Sequence, residues 1–253
     1  MIMRLSIVMA VLDSHEIVRR QIEHFRKMNL PDDVEIIFVD DGSEPPLENN
    51  ADLKNFTIHA TNDKRPWTQP IARNTGVRLA KGEYVTCTDI DHILSKQLII
   101  DSVNCKSDVL RFKREFGILD GNGNFSQDKE TLRAYGLQEN RMRKGLRTQP
   151  HSNSYTIKRS LFLELGGSRE DRIMFYPNRD EVPLKVKLKR LHHRGKITID
   201  EYRPTIYVFP TGRFCGDVNY NPFGLFHDLK RDEYPDKQVL QDNAKEEARS
   251  IQP

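Results

Sequence analysis

The chain has 253 residues, 37% of them hydrophobic, which is enough to bury a continuous core in one large domain. Lys and Arg number 40 against 37 Asp and Glu, so the net charge of +3 carries no nucleic-acid signature. Cys87, Cys105 and Cys215 form no CxxC pair and leave an odd count, which argues against a disulfide framework and a zinc site and predicts buried, reduced thiols.

In chain order, Leu5 to Val11 is an apolar run of buried-strand length, too short for a signal peptide and without a small-residue cleavage site. Asp13, with Glu16 three residues later, predicts a capping box that opens a helix ending near Asn29 and Pro31. Val34 to Val39 predicts a second buried strand that stops at Asp40-Asp41-Gly42-Ser43. A short strand at 56–58, a helix from Gln69 to Ala80 and a strand from Glu83 to Thr88 repeat the alternation, which implies a largely parallel sheet covered on both faces. Beyond it, Leu110 to Phe116 predicts a strand, and Asp120-Gly121-Asn122-Gly123-Asn124 a hairpin turn with Phe125 on the return, so antiparallel additions are expected. Helices are predicted from Asp128 to Gly145, Lys158 to Gly166 and Val182 to Gly195, a strand from Ile197 to Phe209, and a helical tail from Phe223. No later apolar run approaches the roughly 20 residues that span a bilayer, so the chain reads as cytoplasmic, with peripheral membrane contact left open.

Ligands of open parallel sheets bind outside the carboxyl ends of the strands. Three polar loops leave those ends, beginning at Asp13, Asp40-Asp41 and Asp89-Ile90-Asp91, so acidic groups are expected along one edge. Asp89 and Asp91 flank a single residue, a spacing that lets two carboxylates face one divalent cation, and hard oxygen ligands suit Mn²⁺ or Mg²⁺.

The run Ala72-Arg73-Asn74-Thr75-Gly76 through Ala80-Lys81-Gly82-Glu83-Tyr84 to Asp89-Ile90-Asp91 closely resembles the ARNxGxxxAxGEYxxxxDxD signature of family 2 glycosyltransferases, and Val39-Asp40-Asp41-Gly42-Ser43 resembles that family's VDDGS. The resemblance covers residues 4 to 95. It implies an α/β fold of the GT-A, Rossmann-like nucleotide-diphospho-sugar transferase type, with a mostly parallel central sheet. The expected organisation is a single domain over 1–253, with a nucleotide-binding half over about 1–95, an acceptor and catalytic half over about 96–222, and the tail beyond. The implied activity is metal-dependent, inverting transfer of a sugar from a nucleotide-diphosphate donor, with UDP favoured, to the hydroxyl of a glycan or other acceptor, in polysaccharide or glycoconjugate synthesis.

Residue by residue, the resemblance implies that Asp41 hydrogen-bonds the base, that the backbone near Ala10 and Leu12 completes that pocket, and that Asp13 belongs to the same nucleotide site. Arg73 would serve the base or a phosphate, or stand as a surface charge at a helix start. Asp89 would face the ribose or the metal, and Asp91 would hold the metal that bridges the two phosphates. His92 stands where many members carry a further acid; it reads as a metal or phosphate neighbour or, more simply, as a solvated loop histidine, and the second reading is taken. The general base falls on Glu181, with Asp180 beside it, after Leu165-Gly166-Gly167; Pro183 departs from the family pattern, and Glu170-Asp171 is the fallback pair. His227 is a candidate further metal ligand. The basic stretches Arg141 to Arg147 and Lys185 to Lys196 are solvated faces, or attract a phosphorylated or lipid-diphosphate acceptor if they face the cleft. Two other readings stay open: a sugar-phosphate nucleotidyltransferase, which would want a glycine-rich loop after the first strand, and a degenerate binding or scaffold domain.

Overall fold

The computed structural model describes residues 2–49, 51–63, 68–145, 153–170, 182–200, 202–211, 214–217 and 221–223. Leu5–Val11 (β1) and Val34–Asp40 (β2) are buried at every position, as strands covered on both faces must be. With Phe56–Ala60 (β3), Tyr84–Asp89 (β4), Val109–Arg111 (β6) and Tyr155–Lys158 (β10) they form a six-stranded sheet of order β3-β2-β1-β4-β10-β6. The first four strands are mutually parallel, and β10 runs against both its neighbours.

The two faces follow the strand alternation of β1. Leu5, Ile7, Met9 and Val11 share one core with Val18, Phe25 and Met28 of α1 (His15–Met28) and with Leu98 and Ile99 of α3 (Lys96–Val103). Val8 and Ala10 share the other with Ala72 and Val77 of α2 (Gln69–Leu79), Leu161 and Phe162 of α6 (Arg159–Glu164), and Leu184 and Leu188 of α7 (Val182–His193). α2 lies so close to the sheet that a Cβ on Gly76 would stand 2.4 Å from Val8 Cγ1 and 3.0 Å from Val39 Cγ2. Only glycine permits that approach, and it brings the start of α2 over the end of β4.

A second sheet joins His92–Ile93 (β5), Thr205–Val208 (β11) and Lys113–Phe116 (β7) in the order β5-β11-β7. Its core includes Ile93, Phe116, Phe209 and Phe223. The hairpin Ile118–Leu119 (β8) and Phe125–Ser126 (β9) turns where expected, on Asp120, whose Oδ1 accepts from Asn122 N and Asn124 N at 2.8 Å each. Arg20 Nη1 donates to Leu119 O at 2.9 Å and ties the hairpin to α1.

Several expected elements differ. The segment 110–116 is two strands, because the chain leaves the first sheet after Arg111 and enters the second at Lys113, with Phe112 wholly buried at the crossing. The single helix over 128–145 is two, Lys129–Ala134 (α4) and Glu139–Lys144 (α5), since Gly136 at φ 82° ends the first while Leu137 N bonds back to Leu132 O at 3.0 Å. The strand from 197 to 209 shortens to β11, with Ile199 making an isolated bridge to Val109. No capping box opens α1: Ser14 is the N-cap residue, Asp13 sits at φ 43° with its carboxylate accepting from Glu44 N, and Glu16 pairs with Arg19 and Arg20. The loop after β1 is therefore stitched sideways to the loop after β2 rather than forward onto its own helix. β5, α3 and β10 are additional to the expected elements. The tail after Phe223 lies outside the described residues.

All three cysteines are free, and burial pushes the Cys87 thiol up to about 12 and Cys215 to about 11, which keeps both protonated. No described helix is long and apolar enough to cross a membrane.

Candidate functional site

The site starts from the register of three strands. Val11 pairs with Asp40 and Ala10 with Asp89, so β1, β2 and β4 end level and their loops leave the sheet side by side. The loop after β2 is folded by its own first carboxylate: Asp40 Oδ1 accepts from Ser43 N at 2.9 Å and Oδ2 from Leu47 N at 2.8 Å. Asp13 N in turn donates to Ser43 Oγ at 3.0 Å. Asp40 and Asp13 thus shape the loops beside Asp41.

Asp41 follows at the back of the loop, its N–H bonded to Val11 O at 2.8 Å and the residue only 3% exposed. Burial raises its pKa to about 7; the Thr68 and Thr61 hydroxyls favour the charged form, while Asp63 and Asp40 add to the rise. A buried carboxyl held near neutrality at the end of a parallel strand can accept a hydrogen bond from a neutral donor on a ligand.

Asp89 closes β4 and meets α2. Its Oδ1 accepts from Arg73 Nη2 at 2.9 Å and Gln69 Nε2 at 3.1 Å. Arg73 is 1% exposed, so it is a buried ion-pair partner and not the surface charge that a helix start suggests. Its proximity to Gln69 is ordinary i,i+4 geometry on one helix face.

Beyond the turn, His92 Nδ1 lies 2.9 Å from Asp91 Oδ1 and 3.8 Å from Asp89 Oδ2. One ligand atom from each of Asp89, Asp91 and His92 falls within 4.8 Å of the other two. The histidine is 2% exposed, which corrects its reading as a solvated loop residue. The cause is β5, which begins at His92 and pairs Val208 with it, while Gln21 Nε2 from α1 holds Ile90 O at 3.0 Å and His92 O at 2.8 Å. Burial opposes a charge on this imidazole, but the Asp91 and Asp89 carboxylates outweigh it and its pKa is raised, with Arg114 opposing. Two carboxylates and an imidazole converging on one point are a fitting donor set for Mn²⁺ or Mg²⁺.

The glycine pair lies on the far side of α2. Asn74 Nδ2 donates to Ser168 O and to Glu170 Oε1, both at 2.8 Å, and Ser168 N donates to Asn74 Oδ1 at 2.9 Å. Gly167 has φ 62°, and a Cβ there would stand 2.4 Å from Asn74 Oδ1. The Asn74 of the helix motif therefore clamps the loop that leads toward residue 170. Glu170 also meets Arg78 at 3.2 Å, which makes it a clamp partner.

Of the expected site residues, Ala10, Leu12, Asp13, Asp41, Arg73, Asp89 and Asp91 gather at the level strand ends. Asp180, Glu181 and His227 lie outside the described residues. His92, Gln69, Thr61 and Thr68 are additional. Spacing could have found Gln69, four residues before Arg73; nothing local marks His92 as buried.

A parallel sheet whose acidic strand ends converge beside a carboxylate pocket, extended by antiparallel strands, is the GT-A glycosyltransferase fold. Residues 6–104 match the family described as Glycosyl transferase family 2. Over 98 residues the chain is 28% identical to glycosyltransferase GlyG of Streptococcus pneumoniae serotype 4, covering 38% of this chain and 32% of that protein. Among solved structures it is similar to S. aureus TarS 1–349 in complex with UDP, with a TM-score of 0.55 and 16% identity, over 83% of this chain and 61% of that one. It is also similar to mannosyltransferase PcManGT from Pyrobaculum calidifontis in complex with GDP-Man and Mn²⁺, with a TM-score of 0.50 and 18% identity, over 81% of this chain and 56% of that one. The chain thus spans about a third of its curated relative and about three fifths of these solved chains.

Proposed function

We propose that this chain is a metal-dependent glycosyltransferase that moves a sugar from a nucleotide-diphosphate donor, UDP-sugar favoured, to an acceptor hydroxyl with inversion, in polysaccharide or glycoconjugate synthesis. The observation that carries the reading is the Asp89, Asp91 and His92 cluster at the end of β4, with only β1 between it and the strand that leads to the buried Asp41. Solved relatives of the same fold hold UDP in one case and GDP-Man with Mn²⁺ in another, which supports a donor of this class.

Asp41 would accept the imide N–H of the base, with the backbone at Ala10 and Leu12 as the pocket wall and Asp13 fixing that wall to the neighbouring loop. Asp91, Asp89 and His92 would hold a divalent ion, which when bound neutralises the charge of the departing diphosphate. Arg73 and Gln69 both grip Asp89 Oδ1, leaving Oδ2 turned toward the cluster. Glu181 would serve as the general base, with Asp180 beside it, and His227 would be a further ligand of the ion. The loop after β1 holds no glycine between Leu12 and Glu16, which disfavours the nucleotidyltransferase reading.

The deciding experiment measures UDP release from a panel of UDP-sugars with and without Mn²⁺. Mn²⁺-dependent release is expected, with Asp91→Ala losing metal-dependent UDP binding in calorimetry and Glu181→Gln binding UDP normally but turning over at least about 100-fold more slowly. Metal-dependent UDP binding with no turnover of any donor by the wild type would leave the scaffold reading in its place.

A further inference from the structure

From Val182 to Ile199 the chain holds no carboxylate, yet it carries Lys185, Lys187, Lys189, Arg190, Arg194 and Lys196. α7 supplies most of this segment, and its inner stripe is fixed: Leu184 and Leu188 are 2% and 5% exposed and Leu191 packs beside them. Lys187 turns inward along the surface to donate to Leu165 O at 2.7 Å.

The remaining five cations are exposed, and among the described residues none makes a side-chain hydrogen bond or ion pair. Several cations elsewhere on this surface are paired, Lys158 with Asp108, Arg133 with Glu139 and Arg78 with Glu170. With the chain as a whole at +3, the excess here is local. Helical spacing puts Val186, Lys189, Arg190 and His193 on one outward stripe, and Val186 is 40% exposed in the middle of it.

We propose that the outer face of α7 docks the chain on an anionic lipid surface. Its charge complements such a surface: Lys185, Lys189 and Arg190 on α7, with Arg194 and Lys196 just past its end, make a cluster in the range of about four to eight Lys or Arg that anionic headgroups attract. Nucleic acid fits less well. No aromatic side chain is interleaved among these cations to stack on bases, and most of them are lysines, which are point charges without the planar fork that reads guanine or grips phosphate in two places. The helix is also locked along its length by its leucines, so it presents its flank, a strip ~18 Å long, rather than an end that could enter a groove. Val186 supplies an apolar contact at the headgroup level. The inference does not rest on sugar transfer, and its test uses neither donor nor acceptor.

The test is co-sedimentation of the purified chain with vesicles of phosphatidylcholine alone and of phosphatidylcholine containing phosphatidylglycerol. Binding to the anionic vesicles only is expected, with loss in high salt. The combined variant Lys185→Gln, Lys189→Gln, Arg190→Gln and Arg194→Gln should bind at least about tenfold more weakly. Lys185→Arg with Lys189→Arg should bind like the wild type, and thermal melts should show both variants folded. If the fourfold variant does not fold, Lys189→Gln with Arg190→Gln on the outer stripe takes its place, with a reduction of at least about threefold expected. Equal binding to neutral vesicles, no binding to anionic ones, a folded variant that binds undiminished, or tighter binding to a DNA duplex than to anionic vesicles at the same salt would each overturn the proposal.

Discussion

Asp41 shows how one buried side chain sets both a cost and a function. Its ordinary pKa is 3.8 and the fold raises it to about 7, chiefly by burial. Between those values the folded chain keeps a proton that the unfolded chain has lost, so stability falls as pH rises from about 4 to about 7 and is level above. Asp41→Asn removes the titration. Urea midpoints of wild type and variant should agree near pH 4, and the variant should be the more stable at pH 8, by a few kcal/mol at most; equal midpoints at pH 8 would show the carboxyl to be ionised at no cost. If the base donates its imide N–H to this carboxylate, UDP affinity should weaken by about tenfold per pH unit below 7 in the wild type, and calorimetry on the variant should give a weak, pH-independent value. Asp41 is readable in the sequence because it follows an apolar run that ends in a turn. Its burial is not, because Thr61 and Thr68 reach it from other elements.

At the scale of elements, Gly76 tests how closely α2 must lie on the sheet. In an exposed helix Gly→Ala gains about 1 kcal/mol. Here the added methyl would stand 2.4 Å from a β-branched core side chain, and overpacking of that kind costs about 1–3 kcal/mol, so the sign should reverse. Gly76→Ala should lower the urea midpoint, and should weaken metal-dependent UDP binding because Gln69 and Arg73 ride on the same helix. A variant that is stabilised would mean that α2 can lift without loss.

The alternation from β1 to β4 is legible because each strand is a continuous apolar run and each helix is amphipathic. The break at Phe112 is not: Leu110 to Phe116 keeps an unbroken strand-like composition, and only the presence of a second sheet says where one strand ends and another begins. α4 and α5 were separable by Gly136, a residue whose left-handed backbone stops a helix wherever the next turn is not needed. Tyr155–Lys158 is four residues long, too short for any pattern, and it is placed by its pairing with β4 and β6.

At the scale of the whole molecule, the arrangement of the two sheets matters most for the candidate metal centre. Asp89 is the last residue of a strand in the large sheet, and His92 is the first of a strand in the small one. Asp91 lies in the turn between them, its carbonyl accepting from Phe209 N at 3.2 Å. The proposed ligands therefore straddle a seam, and an ion held by them would act as a rivet between two sheets otherwise joined by this turn, the chain crossing at Phe112, the Phe209–Asp91 backbone bond and side-chain packing. Occupancy of the centre should then be felt far from it. Amide hydrogen exchange in β11 and β7, which contribute no ligand, should slow when Mn²⁺ is added to the wild type and stay unchanged in Asp91→Ala. Slowing confined to residues 89–93 would make the ion a local ornament of one turn, whereas slowing across the small sheet would make the grip on the donor and the alignment of the two sheets a single mechanical event.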